Sequence, residues 1–229
     1  AEVTGALLCL DVTEAVVDEA IALGYNLIIS HHPLIFRGFK SLTGANYIER
    51  CVMKAIKHDI VVYSAHTNLD NAVNGVNYKM AEKIGLQDIS FLEPKTDCEP
   101  MLAGAGVVGT LPEPEKDIDF LHRIKQVFQV GCVKHTTLKG RTVQKVALCG
   151  GAGAFLLDDA IRAGADAFVT GEMHYHEFFD HEQQIQIAVI GHYESEQFTS
   201  EVFRDIIDGE CPGAKCYISR TYTNPIHYV

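Results

Sequence analysis

Basic residues are scarce in this 229-residue chain: 19 Lys and Arg against 30 Asp and Glu, for a formal net charge of −11. A general nucleic-acid binder needs clustered cations to neutralise phosphates, so the charge balance counts against nucleic acid as a partner. Paired cysteines are missing too. The seven (Cys9, Cys51, Cys98, Cys132, Cys149, Cys211 and Cys216) are odd in number, scattered, and never spaced as Cys-x-x-Cys. That argues against a disulfide scaffold or a zinc ribbon and for a reducing, cytoplasmic compartment. No apolar run approaches the roughly 18 residues that would predict a transmembrane helix, so no membrane partner is expected. The opening "AEVTGALLCLDV" lacks the basic start of a signal peptide. What remains, 47% apolar and 21% charged residues, is ordinary for a globular protein of one large or two modest domains.

Strand-like runs alternate with amphipathic stretches. "ALLCLDV" (6–12) reads as a strand, and "TEAVVDEAIALG" (13–24) as a helix with Thr13 as N-cap and Gly24 as its stop. "NLIIS" (26–30), "NYIERCVMKAIKHD" (46–59) and "IVVYSAH" (60–66) continue as strand, helix and strand. Such alternation predicts an α/β fold with mainly parallel sheets. The plan recurs at a constant offset of 140. "KVALCGGAGAFLLDDAIRAGADAFVTGE" (145–172) sets Cys149 against Cys9, Asp158 against Asp18, Gly164 against Gly24 and Thr170 against Ser30, and "IQIAVIGH" (185–192) repeats the third strand. Two related α/β lobes from an internal duplication are therefore expected, at 1–93 and 117–229. The Pro- and Gly-rich stretch 94–116 is expected to be the connection between them.

Ligands of open α/β sheets bind beyond the carboxyl ends of the strands. Four predicted strands here end in potential metal ligands: His31-His32, then His66 and Asp70, then "GEMHYHE", then His192 and Glu196. A lone histidine at a strand end is more often a satisfied polar residue, and His31-His32 beside Pro33 could instead cap a helix. The recurrence at four ends, with His-x-x-x-Asp in one half and His-x-x-x-Glu in the other, favours a site. Neighbouring strand residues point to opposite sides, so His31 and His32 suit two ions better than one. A bridging carboxylate, Asp70 or Glu196, would complete a two-metal centre. In a helix, His192 and Glu196 would lie one turn apart on one face. His58, His122, His135 and His227 lack this context. "GGAG" (150–153) reads either as a phosphate cradle or as a tight turn.

These segments ("GALLCLDVTEAVVDEAI", "NLIISHHPLIF", "AHTNLDNAVNGVN", "VALCGGAG", "DAFVTGEMHYHE" and "GHYESE") resemble the Nif-three-like proteins, often called GTP cyclohydrolase 1 type 2 homologues. The resemblance implies two related lobes around a dinuclear metal site and a homo-oligomer, a toroidal hexamer. It implies His31, Asp70 and Glu196 on one ion, and His32, His192 and the shared Glu196 on the other. His66 falls beside the site. Glu172, His174 and His176 fall on the segment that faces it, where they could pass protons as catalytic residues. Family members usually begin with a further helix and a Trp-Asp-Asn-like segment, absent here as is any Trp. Larger members also insert a small domain for which 92–117 leaves no room. The expected cofactors are two divalent ions per chain, with zinc, iron or manganese suiting the His/carboxylate set. The expected function is a metal-dependent hydrolase of a nucleotide-like or phosphorylated small molecule. The alternatives are a non-enzymatic ring for metal storage, delivery or sensing, or an interaction scaffold; a nucleic-acid clamp fits the charge poorly.

Overall fold

The computed structural model describes residues 2–96, 102–179, 181 and 184–229. It divides into two compact units, Ala1–Leu69 with Thr199–His227, and Asp70–Phe198 with Tyr228–Val229. In the first unit, β1 (Ala6–Cys9) leads to α1 (Glu14–Leu23) and β2 (Leu27–Ser30). Thr13 caps α1 by accepting the Val16 N–H at 3.3 Å, and Gly24 ends it at φ 69°, a left-handed turn that a Cβ would strain. After a long loop, α2 (Tyr47–Lys57) and β3 (Val61–Ser64) follow. The short α3 (Thr67–Asp70) carries the chain out of this unit.

The second unit begins with α4 (Val76–Ile84), β4 (Gln87–Lys95), β5 (Ala103–Lys116) and α5 (Asp117–Val127). It continues through β6 (Lys134–His135), β7 (Thr142–Cys149), a 3-10 turn (Gly153–Leu156), α6 (Leu157–Arg162) and β8 (Ala167–Thr170). A second 3-10 turn (Tyr175–Phe178), β9 (Gln186–Val189) and α7 (His192–Glu196) complete it. The chain then returns to the first unit as α8 (Thr199–Glu210) and β10 (Cys216–Ile218). The first sheet, ordered β10-β1-β2-β3, is parallel throughout. The second, ordered β4-β5-β7-β8-β9-β6, is mixed: β7, β8 and β9 run parallel, while β4, β5 and β6 pair antiparallel. Each is covered by helices over its own apolar core, with Leu7, Ile28 and Val16 fully buried in the first and Phe120, Ile124 and Leu148 in the second.

The observed division differs from the expected boundaries. Most of 94–116 is not a connection but the long strand β5; its residues 97–101 and Cys98 lie outside the described positions. The glycines that suggest a linker are there for close packing. A Cβ on Gly104 would stand 2.5 Å from the Phe91 ring, and one on Gly106 2.7 Å from Leu156. The chain crosses between units at 69–70, 198–199 and 227–228 instead.

The two β-α-β segments share one ladder. Ala6↔Leu27 through Cys9↔Ser30 in the first unit correspond, residue by residue and 140 positions on, to Val146↔Ala167 through Cys149↔Thr170 in the second. Gly24 and Gly164 end the two helices at φ 69° and 71°. Among the described residues, no helix is long and apolar enough to cross a membrane.

Candidate metal centre

In the first unit, the chain beyond β2 stays attached to the β1 side: His31 N–H donates to the Cys9 carbonyl (3.2 Å) and His32 N–H to that of Leu10 (2.9 Å). The two imidazoles do not diverge as strict strand alternation predicts. Their ring centroids lie 5.1 Å apart, and the His66 ring stands 5.3 Å from His31 and 5.7 Å from His32. The strand ends at Ser30, so alternation no longer governs the next two residues. The Ser30 hydroxyl holds the turn by donating to the His32 carbonyl at 2.9 Å. One ring nitrogen from each of the three histidines lies within 4.8 Å of the others.

Their orientation is fixed from behind. His31, 0% exposed, has Nδ1 2.9 Å from the Ala65 carbonyl, and His32 has Nδ1 2.7 Å from Asp11 Oδ1. Carbonyl and carboxylate oxygens only accept, so in each neutral ring Nδ1 carries the proton and Nε2 presents the lone pair. Asp11 is steadied in turn by the Thr223 hydroxyl, which donates to Oδ2 at 2.7 Å from 212 positions away. Carboxylate-histidine pairs of this kind orient metal ligands and raise their basicity. Nothing in the sequence marks Asp11 or Thr223, because the link exists only once the C-terminal tail is in place. That tail is tied down at Glu19, whose carboxylate accepts from Ser219, Arg220 and Thr221.

In the second unit, α7 puts His192 and Glu196 one turn apart, as the spacing predicts, with Nε2 3.2 Å from Oε2. Glu196 is 4% exposed. On the other side of the ring, Nδ1 lies 3.1 Å from Glu172 Oε1. An imidazole faced by carboxylates at both nitrogens has one proton too few unless it is charged or a cation joins Nε2 and Glu196. The backbone around it is woven together. Gly151 N–H donates to the Ser195 hydroxyl (2.9 Å), which donates to the His192 carbonyl (2.7 Å). The buried Asn77 amide donates to the Asp70 carbonyl (3.0 Å) and accepts the Gly150 N–H (2.8 Å). Asp70 and Glu196 are both felt at Cys149, whose thiol is pushed up to about 12 chiefly by burial and then by these two charges. Cys149 is therefore an inert thiol.

The glycine-rich turn has a packing explanation. Gly151 sits at φ 57°, and a Cβ there would collide with a Glu196 carboxylate oxygen. His66 lies just before α3 and His192 opens α7, so each His-x-x-x-acid spacing falls at the start of a short helix. The remaining candidates, His174 and His176, are exposed on the segment after β8. There Glu177 Oε2 accepts the His174 N–H at 2.6 Å, and the His176 ring packs with Tyr175 at 5.2 Å.

The sequence model of the Duf34/NIF3 (NGG1p interacting factor 3) family matches residues 1–225. A Lactococcus lactis protein called GTP cyclohydrolase 1 type 2 homolog is 34% identical, over 99% of this chain and 86% of its own length. A Streptococcus pneumoniae protein of the same name is 32% identical, over 97% and 85%. Among solved structures, a hypothetical protein of Staphylococcus aureus superposes with a TM-score of 0.90 at 30% identity, covering 100% of this chain and 88% of that one. A Bacillus cereus protein related to NIF3 reaches 0.88 at 26% identity, covering 99% and 90%. With its mixed α/β fold, its His and Glu clusters and this match over nearly its whole length, the chain belongs to the Duf34/NIF3 family.

Proposed function

We propose that this chain binds two divalent ions through His31, His32, Asp70, His192 and Glu196, and is a metal-dependent hydrolase of a nucleotide-like or phosphorylated small molecule. The observation that carries the reading is His192, held between Glu172 and Glu196 with a carboxylate at each ring nitrogen. The donor set fits a metal for a second reason: Ala65 and Asp11 fix the tautomers in which His31 and His32 offer Nε2. Imidazole with carboxylate suits zinc, iron or manganese. Such ions, when bound, supply Lewis acidity and bring a water's pKa towards neutrality. The chain's own residues bind and orient: Glu172 holds the His192 Nδ1 proton, and Asp11 holds that of His32. His66 completes the histidine group. His174 and His176 are the candidate proton carriers, together with Glu172 when it is not engaged.

The shared strand register supports an origin of the two units by internal duplication. Family resemblance supports a homohexamer, and the first sheet offers a face for contacts: β3 is its edge, with Val61 and Tyr63 more than half exposed. The six described cysteines are free, which suits a cytoplasmic protein.

Elemental analysis of purified wild type and Glu196→Gln tests the metal reading. About two ions per chain should fall to near none, and wild-type content in the variant would refute the assignment. A phosphoesterase and cyclohydrolase panel with His192→Ala as control tests the chemistry. Bound metal with no turnover on the panel would favour storage or delivery.

A further inference from the structure

A groove of about 430 Å³ opens in the second unit at the carboxyl ends of β7 and β8. The turn after β7 lines it with Ala152, Ala154 and Phe155, the segment after β8 with Glu172, His174 and Glu177, and β6 with Lys134. This is where an open α/β sheet places its ligand. The groove brings together groups of different chemistry. Phe155, 66% exposed, and Met173 give the groove an apolar wall beside its polar groups. Glu177 is fixed by the His174 N–H at Oε2, and a carboxylate so held has a second oxygen for further N–H donors. Glu172 touches His192 and so links the groove to the proposed metal ligands.

The ladder sets the scale. Val189 of β9 is the register partner of both Thr170 on β8 and Lys134 on β6. Lys134 and the end of β8 therefore lie two strand spacings apart, roughly 10 Å. A purely anionic ligand would meet the two carboxylates, and a purely cationic one would meet Lys134. A ligand with a planar, N–H-bearing ring and a separate anionic group satisfies both.

We propose that this groove binds a planar nitrogen heterocycle carrying an anionic group, with Phe155 against the ring, Glu177 reading its N–H edge and Lys134 taking the anion. The inference rests on the small-molecule reading above and names its substrate class. It assigns roles to Lys134 and Phe155, which the sequence left unmarked.

The test is calorimetric titration of the full chain with GMP, IMP, guanosine and ribose 5-phosphate, with metal content measured on the same samples. Wild type should bind GMP, and should bind IMP, which lacks the 2-amino donor, about tenfold more weakly. Lys134→Ala should weaken GMP about tenfold and leave guanosine unchanged. Phe155→Ala should weaken GMP and guanosine alike and leave ribose 5-phosphate unchanged. Wild type that ignores GMP, or both variants binding it as wild type does, overturns the proposal. Nucleotide binding by protein that holds no metal would refute the metal reading and leave the groove standing. Bound metal without nucleotide binding would do the reverse.

Discussion

The two units build the same β-α-β ladder and then fill its loops in opposite ways. After β1 the first unit has Asp11, and after β2 it has His31 and His32; 140 positions on, the second has Gly151, Gly171 and Glu172. The glycines are required where they stand. A Cβ on Gly171 would lie 2.6 Å from the Ser195 hydroxyl and 2.7 Å from the Gly151 carbonyl, and Gly151 leaves room for Glu196. The first unit thus puts its ligand-type groups on loops and supports them by Asp11. The second has glycine at the positions of Asp11 and His31, keeps Glu172 at that of His32, and brings in a buried carboxylate on a helix. One backbone frame serves both because strand pairing fixes the backbone and leaves the loop side chains free to change.

The comparison breaks most sharply if the first unit's residue is placed in the second. Gly151→Asp puts a side chain at positive φ against the Glu196 carboxylate, and should cost about 3 kcal/mol or more of stability, read by urea denaturation. The equivalent position in the first unit predicts a subtler loss. Asp11→Asn should leave the fold intact but weaken metal binding about 10–100-fold in a chelator competition, and Thr223→Val should do so by less. Unchanged affinity in both would remove the supporting role of Asp11.

Smaller effects come from the helices. Thr13 caps α1, while its counterpart Gly153 cannot carry a cap: a Cβ there would stand 2.5 Å from that of Cys149. The second unit's helix accordingly starts as a 3-10 turn. Thr13→Ala should cost about 1 kcal/mol in thermal melts, the usual value of a lost cap. Last is a pH effect confined to the first unit. Glu49 Oε2 accepts the N–H groups of Thr43, Gly44 and Ala45 and the Thr43 hydroxyl. The Thr43 N–H foremost, then that of Ala45, holds its carboxyl below the ordinary 4.5. A carboxyl lowered on folding stabilises fully above 4.5, and that contribution is lost as pH falls through the lowered value. Melting temperature should therefore drop less steeply on acidification below 4.5 in Glu49→Gln than in wild type.

The sequence by itself determined what depends on neighbours along the chain. Thr13 and Gly24 delimit α1, the apolar runs name the central strands, and the His192–Glu196 spacing becomes contact once α7 forms. The offset of 140 reappears in the strand register, because like patterns of apolar residues select like pairings. Tertiary structure decided the rest. Only folding brings Thr223 to Asp11 and Asp11 to His32, and sets Lys134 across β9 from the end of β8. Glycines at 104 and 106 read locally as part of a connection, whereas in the structure they lie in the strand β5 with Phe91 and Leu156 packed against them. Periodicity and caps are local signals, but a contact between distant residues has none until the chain has closed the loop between them.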